Sequence, residues 1–152
     1  MVFAALALAT SLGVGYVPIA PGTFGSLAGL LLWWLLPPSF TIQLTAIVGL
    51  FVLGSWSAGV AERHFAGTDP GPVVIDEVMG MLITLFLNPS GWVSVSLGFL
   101  LFRAFDVIKP YPANRFENLH GGVGVMADDA MAAIYANLVL RTILALGSRI
   151  IG

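Results

Sequence analysis

Of 152 residues, 58% are hydrophobic and 9% are charged, where an ordinary soluble domain carries roughly 25% charged residues; too few charges are present to cover a soluble surface of this size, so one integral membrane domain over residues 1–152 is expected. A net charge of −2 with six Lys plus Arg leaves no basic field for nucleic acid, which is excluded as a partner. The absence of cysteine rules out disulfides, thiolate metal sites and a cysteine nucleophile.

The opening stretch, MVFAALALATSLGVGYVPIAPG, has an apolar core like that of a signal peptide. It lacks the positively charged segment and small-residue cleavage site of one, so it is expected to stay in the mature fold. Pro18 and Pro21-Gly22 end this block, and a second block over 24–36 stops at Pro37-Pro38. The third, 41–61, is an uncharged run of about 20 residues, the length that spans a bilayer. After the loop ERHFAGTDPGP, residues 78–102 carry no charge, but Asn88-Pro89-Ser90-Gly91 interrupts them. That composition predicts a helical hairpin turning near Asn88–Gly91. Its second arm should end near Lys109, because a residue before proline avoids the helical conformation. YPANRFENLHGGVG reads as polar and turn-rich, and a last helix is predicted over about 126–146. The expected fold is an all-α polytopic membrane bundle of about four or five embedded helices. Small residues at four-residue spacing, Gly25/Gly29, Ser55/Gly59 and Ala132/Ala136, suit close helix approach.

The hairpin sets a depth for the charges. Glu77 lies about 11 residues before the turn and Arg103 about 12 after it, so both stand roughly 16–18 Å from the bend. Asp106 shares the face of Arg103, and Lys109 continues the stripe. A last helix beginning near Met126 on the same side brings Asp128 and Asp129, in its first turn, to that depth. The layer then holds Asp76, Glu77, Asp106, Asp128 and Asp129 with Arg103 and Lys109. Arg63, Arg103, Lys109 and Arg115 lie on this side against Arg141 and Arg149 on the other, which turns the layer to the cytoplasm.

Two acids at the bilayer centre would cost about 5–7 kcal/mol, while the apolar residues beside them return only about 2–4. The acids therefore belong at the interface or in a wet pocket lined by helices. Each feature also has a plain structural explanation. Both acidic pairs oppose a helix macrodipole, Arg103 and Asp106 form an ion pair, and Lys109 snorkels. Their convergence at one depth is what favours a site. Clustered carboxylates suit a hard cation such as Mg²⁺, and Arg and Lys beside it suit a phosphate. At interfacial depth this points to a phosphorylated lipid headgroup.

Weaker signals remain. APGTFGS, with Thr23 and Ser26, leads into a helix whose N–H groups suit a phosphate, or is an N-cap after a proline turn. No GK[ST] follows, so it is not a Walker loop. GGVG is a flexible approach to the acids or a turn. His64 and His120 lack ligand spacing and are expected at the surface. Trp33, Trp34, Trp56 and Trp92 are expected to anchor at headgroup level.

Four blocks, VPIAPGTFGSLAG, VVIDEVMGM, FRAFDVIKPYP and GGVGVMADDAMAA, taken in order, resemble the phosphatidylglycerophosphatase A family of bacterial lipid phosphatases. The resemblance implies Mg²⁺-dependent hydrolysis of phosphatidylglycerophosphate to phosphatidylglycerol and phosphate, in phospholipid biosynthesis, at the cytoplasmic face of the inner membrane. It carries catalytic importance onto Asp76, Glu77, Arg103, Asp106, Lys109, Asp128 and Asp129. Metal ligation is expected from Glu77, Asp106, Asp128 and Asp129, and phosphate binding from Thr23, Ser26, Arg103 and Lys109. Attack by water and an aspartyl-phosphate intermediate are both open routes. The alternatives are a phosphatase of another lipid phosphate and a membrane ion or proton transporter, though deeper ionisable groups and repeat symmetry, expected of the latter, are not visible. The DGxxAR motif of a CDP-alcohol phosphatidyltransferase is absent.

Overall fold

In the computed structural model, which describes residues 1–116, 119 and 121–151, every regular element is helical and no strand occurs among the described residues. His120 lies outside them. The helices are α1 (Val2–Ala9), α2 (Pro21–Leu35), α3 (Phe40–Phe65), α4 (Ile75–Leu85), α5 (Trp92–Ile108), the short α6 (Ala113–Phe116) and α7 (Gly122–Ile151), with a 3₁₀ turn at Val14–Tyr16.

The breakers act as the sequence led us to expect, with shifts that have local causes. Pro37 and Pro38 separate α2 from α3, and Phe86 to Gly91 link the arms of the predicted hairpin, α4 and α5. Lys109 closes α5 in a left-handed conformation, φ 45°, immediately before Pro110. α2 begins earlier than predicted, because Pro21 occupies the start of a helix, where its missing N–H costs nothing. α3 runs past residue 61 to Phe65, with Arg63 and His64 in its last turn, where cations oppose the macrodipole.

The start of α7 requires a correction. Gly122, Val123 and Gly124 form its first turn rather than a loop before it, so Asp128 and Asp129 sit about two turns inside the helix and not in its first turn. The cause is tertiary: Gly122 lies directly on the α3 backbone, where a Cβ would overlap the carbonyl of Ser55 and the amide of Gly59. Gly122→Val is therefore expected to destabilise the fold by more than about 3 kcal/mol, read as loss of monodisperse protein after detergent extraction.

α4 is the centre of the bundle. α2 runs parallel to it, with Gly22 near Glu77, Gly25 against Val74 and Gly29 against Val78 and Met81. α5 runs antiparallel, placing the Phe102 ring over Gly80 and Gly98 against Leu85. α7 is parallel again: Asn137 Nδ2 donates to the carbonyls of Ile83, Thr84 and Phe86 at 2.9–3.0 Å, and Arg141 donates to that of Phe86 at 3.1 Å. At the other end the Val74 N–H donates to the Ala9 carbonyl at 2.9 Å, and Ala5 and Ala9 are buried, so the N-terminal stretch is built into the core.

α3, with 26 residues, and α7, apolar over 27, rise about 39 and 40 Å, enough to cross a hydrocarbon layer of roughly 30 Å. α2, α4 and α5, with 15, 11 and 17 residues, rise about 22, 16 and 25 Å and are too short to cross unaided. The outer faces are apolar, with Val48, Val52 and Leu53 of α3 and Ile134 and Leu138 of α7 exposed. Trp34, Trp56 and Trp92 are exposed as expected of anchors, but Trp33 is buried among Met81, Leu85 and Phe102 and belongs to the core.

Candidate active site and metal centre

Two apolar clusters fill the bundle. One centres on Ala58, Val78, Met79 and Met126, the other on Leu82, Phe102, Ala133 and Leu140. The charged residues gather around the first turn of α4. Asp76 and Glu77 come from the first turn of α4, but neither supplies a capping hydrogen bond there. Instead their carboxylates turn toward Asp129 of α7, and one oxygen from each of the three lies within 4.8 Å of the others. Asp76 is 5% exposed and Asp129 3%. Asp76 Oδ1, Glu77 Oε2 and Asp129 Oδ2 are all buried without a hydrogen-bond partner.

Buried acceptors left bare are costly. In α4, Asp76 is pushed well above the usual carboxylate range by burial and then by repulsion from Glu77, with Asp69 and Asp128 adding. Glu77 is pushed up to about 8 by burial first, with Asp129 and Asp106 repelling it and Arg103 partly relieving it. A small hard cation among the three carboxylates would cancel this repulsion. The donor set fits a divalent ion held by Asp76, Glu77 and Asp129.

The remaining acids are engaged. Arg103 donates to Asp106 at 2.6 Å and stands 3.8 Å from Glu77. Lys109 reaches back from the end of α5 to Asp128 Oδ2 at 2.7 Å, while Asp128 Oδ1 accepts the Asp129 N–H at 2.9 Å. So Asp106 and Asp128, expected among the metal ligands, are each held by a basic residue, and Asp76 joins Glu77 and Asp129 in the convergent group.

The first turn of α2 borders this layer. A Cβ on Gly22 would overlap Glu77 Oε1 and lie 3.1 Å from both terminal nitrogens of Arg103. Thr23, half-buried, follows it. Ser26 is fully buried and donates to the Gly22 carbonyl at 2.9 Å, bracing the turn from within. His64 is exposed beside Phe65, as expected of a surface residue.

The sequence reading passed over three contributors. Asp69 lies near enough to act electrostatically on Asp76, and its N–H donates to Glu62 at 3.4 Å. Both line a cavity of about 200 Å³ with Thr68, Leu119, Val125 and Asp128. Nothing in ERHFAGTDPGP distinguishes it from a solvated loop. Asn137 did carry a signal, a lone amide within an apolar helix.

A family model described as Phosphatidylglycerophosphatase A matches residues 7–144. Relatives named Phosphatidylglycerophosphatase A are 37% identical in Escherichia coli, over 88% of this chain and 79% of theirs, and 39% identical in Haemophilus influenzae, over 90% and 86%. A Bacteroides thetaiotaomicron protein named as a candidate phosphatidylinositol-3-phosphatase is 38% identical over 91% of this chain and 92% of its own. No solved structure matches.

Proposed function

The chain belongs to the phosphatidylglycerophosphatase A family, and from that premise we propose that it is the phosphatase that converts phosphatidylglycerophosphate to phosphatidylglycerol and inorganic phosphate. One observation carries the chemistry. The carboxylates of Asp76, Glu77 and Asp129 converge, each keeps one buried oxygen without a hydrogen-bond partner, and the guanidinium of Arg103 stands 3.8 Å from Glu77, which is what a divalent cation and a phosphoryl group together require.

In this reading Mg²⁺ is the cation, and when bound it supplies Lewis-acid neutralisation of the phosphoryl oxygens. The protein does the rest. Arg103, oriented by Asp106, aims its remaining N–H groups at the phosphate. Lys109, held by Asp128, adds a second positive charge to the layer. The start of α2, with the Gly22 N–H and Thr23, presents the positive end of a 15-residue helix to the same anion. Ser26 keeps that turn in place rather than touching substrate.

In this reading the bundle lies in a membrane, with α3 and α7 crossing and α2, α4 and α5 embedded against them, which the apolar outer faces support. The same reading turns the acidic end to the cytoplasm of a bacterial inner membrane, supported by the basic residues Arg63, Arg103, Lys109 and Arg115. A second substrate reading, a phosphoinositide monoester, is favoured by the name of the Bacteroides relative. Both substrates present a phosphomonoester on a phospholipid headgroup.

Purified protein is expected to release phosphate from phosphatidylglycerophosphate with Mg²⁺, to lose at least about a hundredfold in rate with EDTA, and to recover on adding Mg²⁺ back. Release indifferent to chelation would overturn the metal assignment. Faster turnover of phosphatidylinositol 3-phosphate would move the substrate to the second reading. No release from either, together with ion flux in proteoliposomes, would replace hydrolysis by transport.

A further inference from the structure

If Asp76, Glu77 and Asp129 hold a divalent cation, the ion needs a way in, because Asp76 and Asp129 are almost wholly buried. We infer that the cavity between the 62–72 segment and the start of α7 is that route, with Glu62 and Asp69 as recruiting charges. The inference rests on the metal reading proposed above.

The cavity runs from outside to inside. Its rim is exposed Thr68, Asp69 and Leu119, and its floor is buried Val125 and Asp128. Asp129 follows Asp128 in the chain and donates its N–H to Asp128 Oδ1 at 2.9 Å, and Asp69 of the rim acts electrostatically on Asp76. Three of the six lining residues are acids. Lys109 is paired with Asp128 of the floor at 2.7 Å. Arriving past Arg103 instead, a cation would meet a guanidinium 3.8 Å from Glu77. Conversely, the carboxylates of the cavity repel a phosphorylated headgroup, which leaves the Arg103 side to the lipid. The site is thereby fed from two sides, each matched in sign to what it admits.

The test uses Mn²⁺ and full-length, substrate-free protein in nanodiscs of uncharged lipid. Binding after rapid mixing is followed by loss of the free-ion EPR signal. The variant is Glu62→Gln with Asp69→Asn. Gln retains an acceptor for the Asp69 N–H, and Asn tolerates the left-handed φ of 46° found at that position. The variant is expected to bind Mn²⁺ about five- to tenfold more slowly at low ionic strength, with a dissociation rate within about twofold of the parent and the difference vanishing at about 0.5 M salt. An unchanged association rate would overturn the route. So would a faster dissociation with association unaltered, which would make Glu62 and Asp69 ligands. If the parent protein takes up no Mn²⁺ at all, the metal reading itself fails, a result distinct from either.

Discussion

Glu77→Gln is expected to lower kcat/KM for phosphatidylglycerophosphate by about a thousandfold or more while the protein extracts and migrates like the parent. The substitution preserves volume, so the contacts of α4 with α2 survive. What changes is charge and donor pattern. A carboxylate offers acceptors only, whereas an amide would aim an N–H₂ either at Arg103 or into the bare oxygens of Asp76 and Asp129. Loss of one transition-state charge contact in a closed site costs about 3–4 kcal/mol, and loss of a metal ligand adds to it. Asp106→Asn should cost less, about ten- to a hundredfold, because Asp106 acts through the orientation of Arg103. Phosphate-release kinetics at saturating Mg²⁺ measure both. Near-parental turnover of Glu77→Gln would return that residue to the role of a helix-start acid.

The second large effect is expected from Gly22→Ala, where two tendencies oppose. Ala favours a helix over Gly, by less in this first turn than the about 1 kcal/mol of a helix interior, so α2 taken alone gains slightly. The new methyl, however, occupies the position of Glu77 Oε1 and presses on both terminal nitrogens of Arg103. Glu77 ends in a flexible carboxylate, so the fold survives by swinging it aside, and that movement takes it out of the cluster. Activity should fall about a hundredfold with Tm unchanged or slightly raised, and the Mg²⁺ concentration for half-maximal rate should rise. Unaltered Mg²⁺ dependence would show that the approach of α2 to α4 plays no part in holding Glu77.

Much of this arrangement was legible in the sequence. The equal arms on either side of NPSG placed Glu77 and Arg103 at one depth, and the two stand 3.8 Å apart. Pro110 forced the end of α5 that lets Lys109 turn back to Asp128. Other parts were not legible, for physical reasons. The start of α7 at GGVG defies helix propensity because a tertiary contact, Gly122 on Ser55 and Gly59, decides it. That same error hid the strongest sign that Asp128 and Asp129 do more than oppose a dipole, since two turns inside a helix the macrodipole offers them little. Asp69 was invisible because its nearness to Asp76 comes from the path of a loop, which carries no periodicity.

The grip of Asn137 on the end of α4 has a meaning beyond satisfying carbonyls. On α7, Asp129 and Asn137 are eight residues apart; on α4, Asp76 and Thr84 are also eight apart. The two parallel helices are thus gauged against each other at both ends of the same interval, about 12 Å long. Sliding either helix by one residue would break the carbonyl clamp and pull the acids apart in a single movement. The amide far from the chemistry works as the second mark on a ruler whose first mark is the acidic cluster.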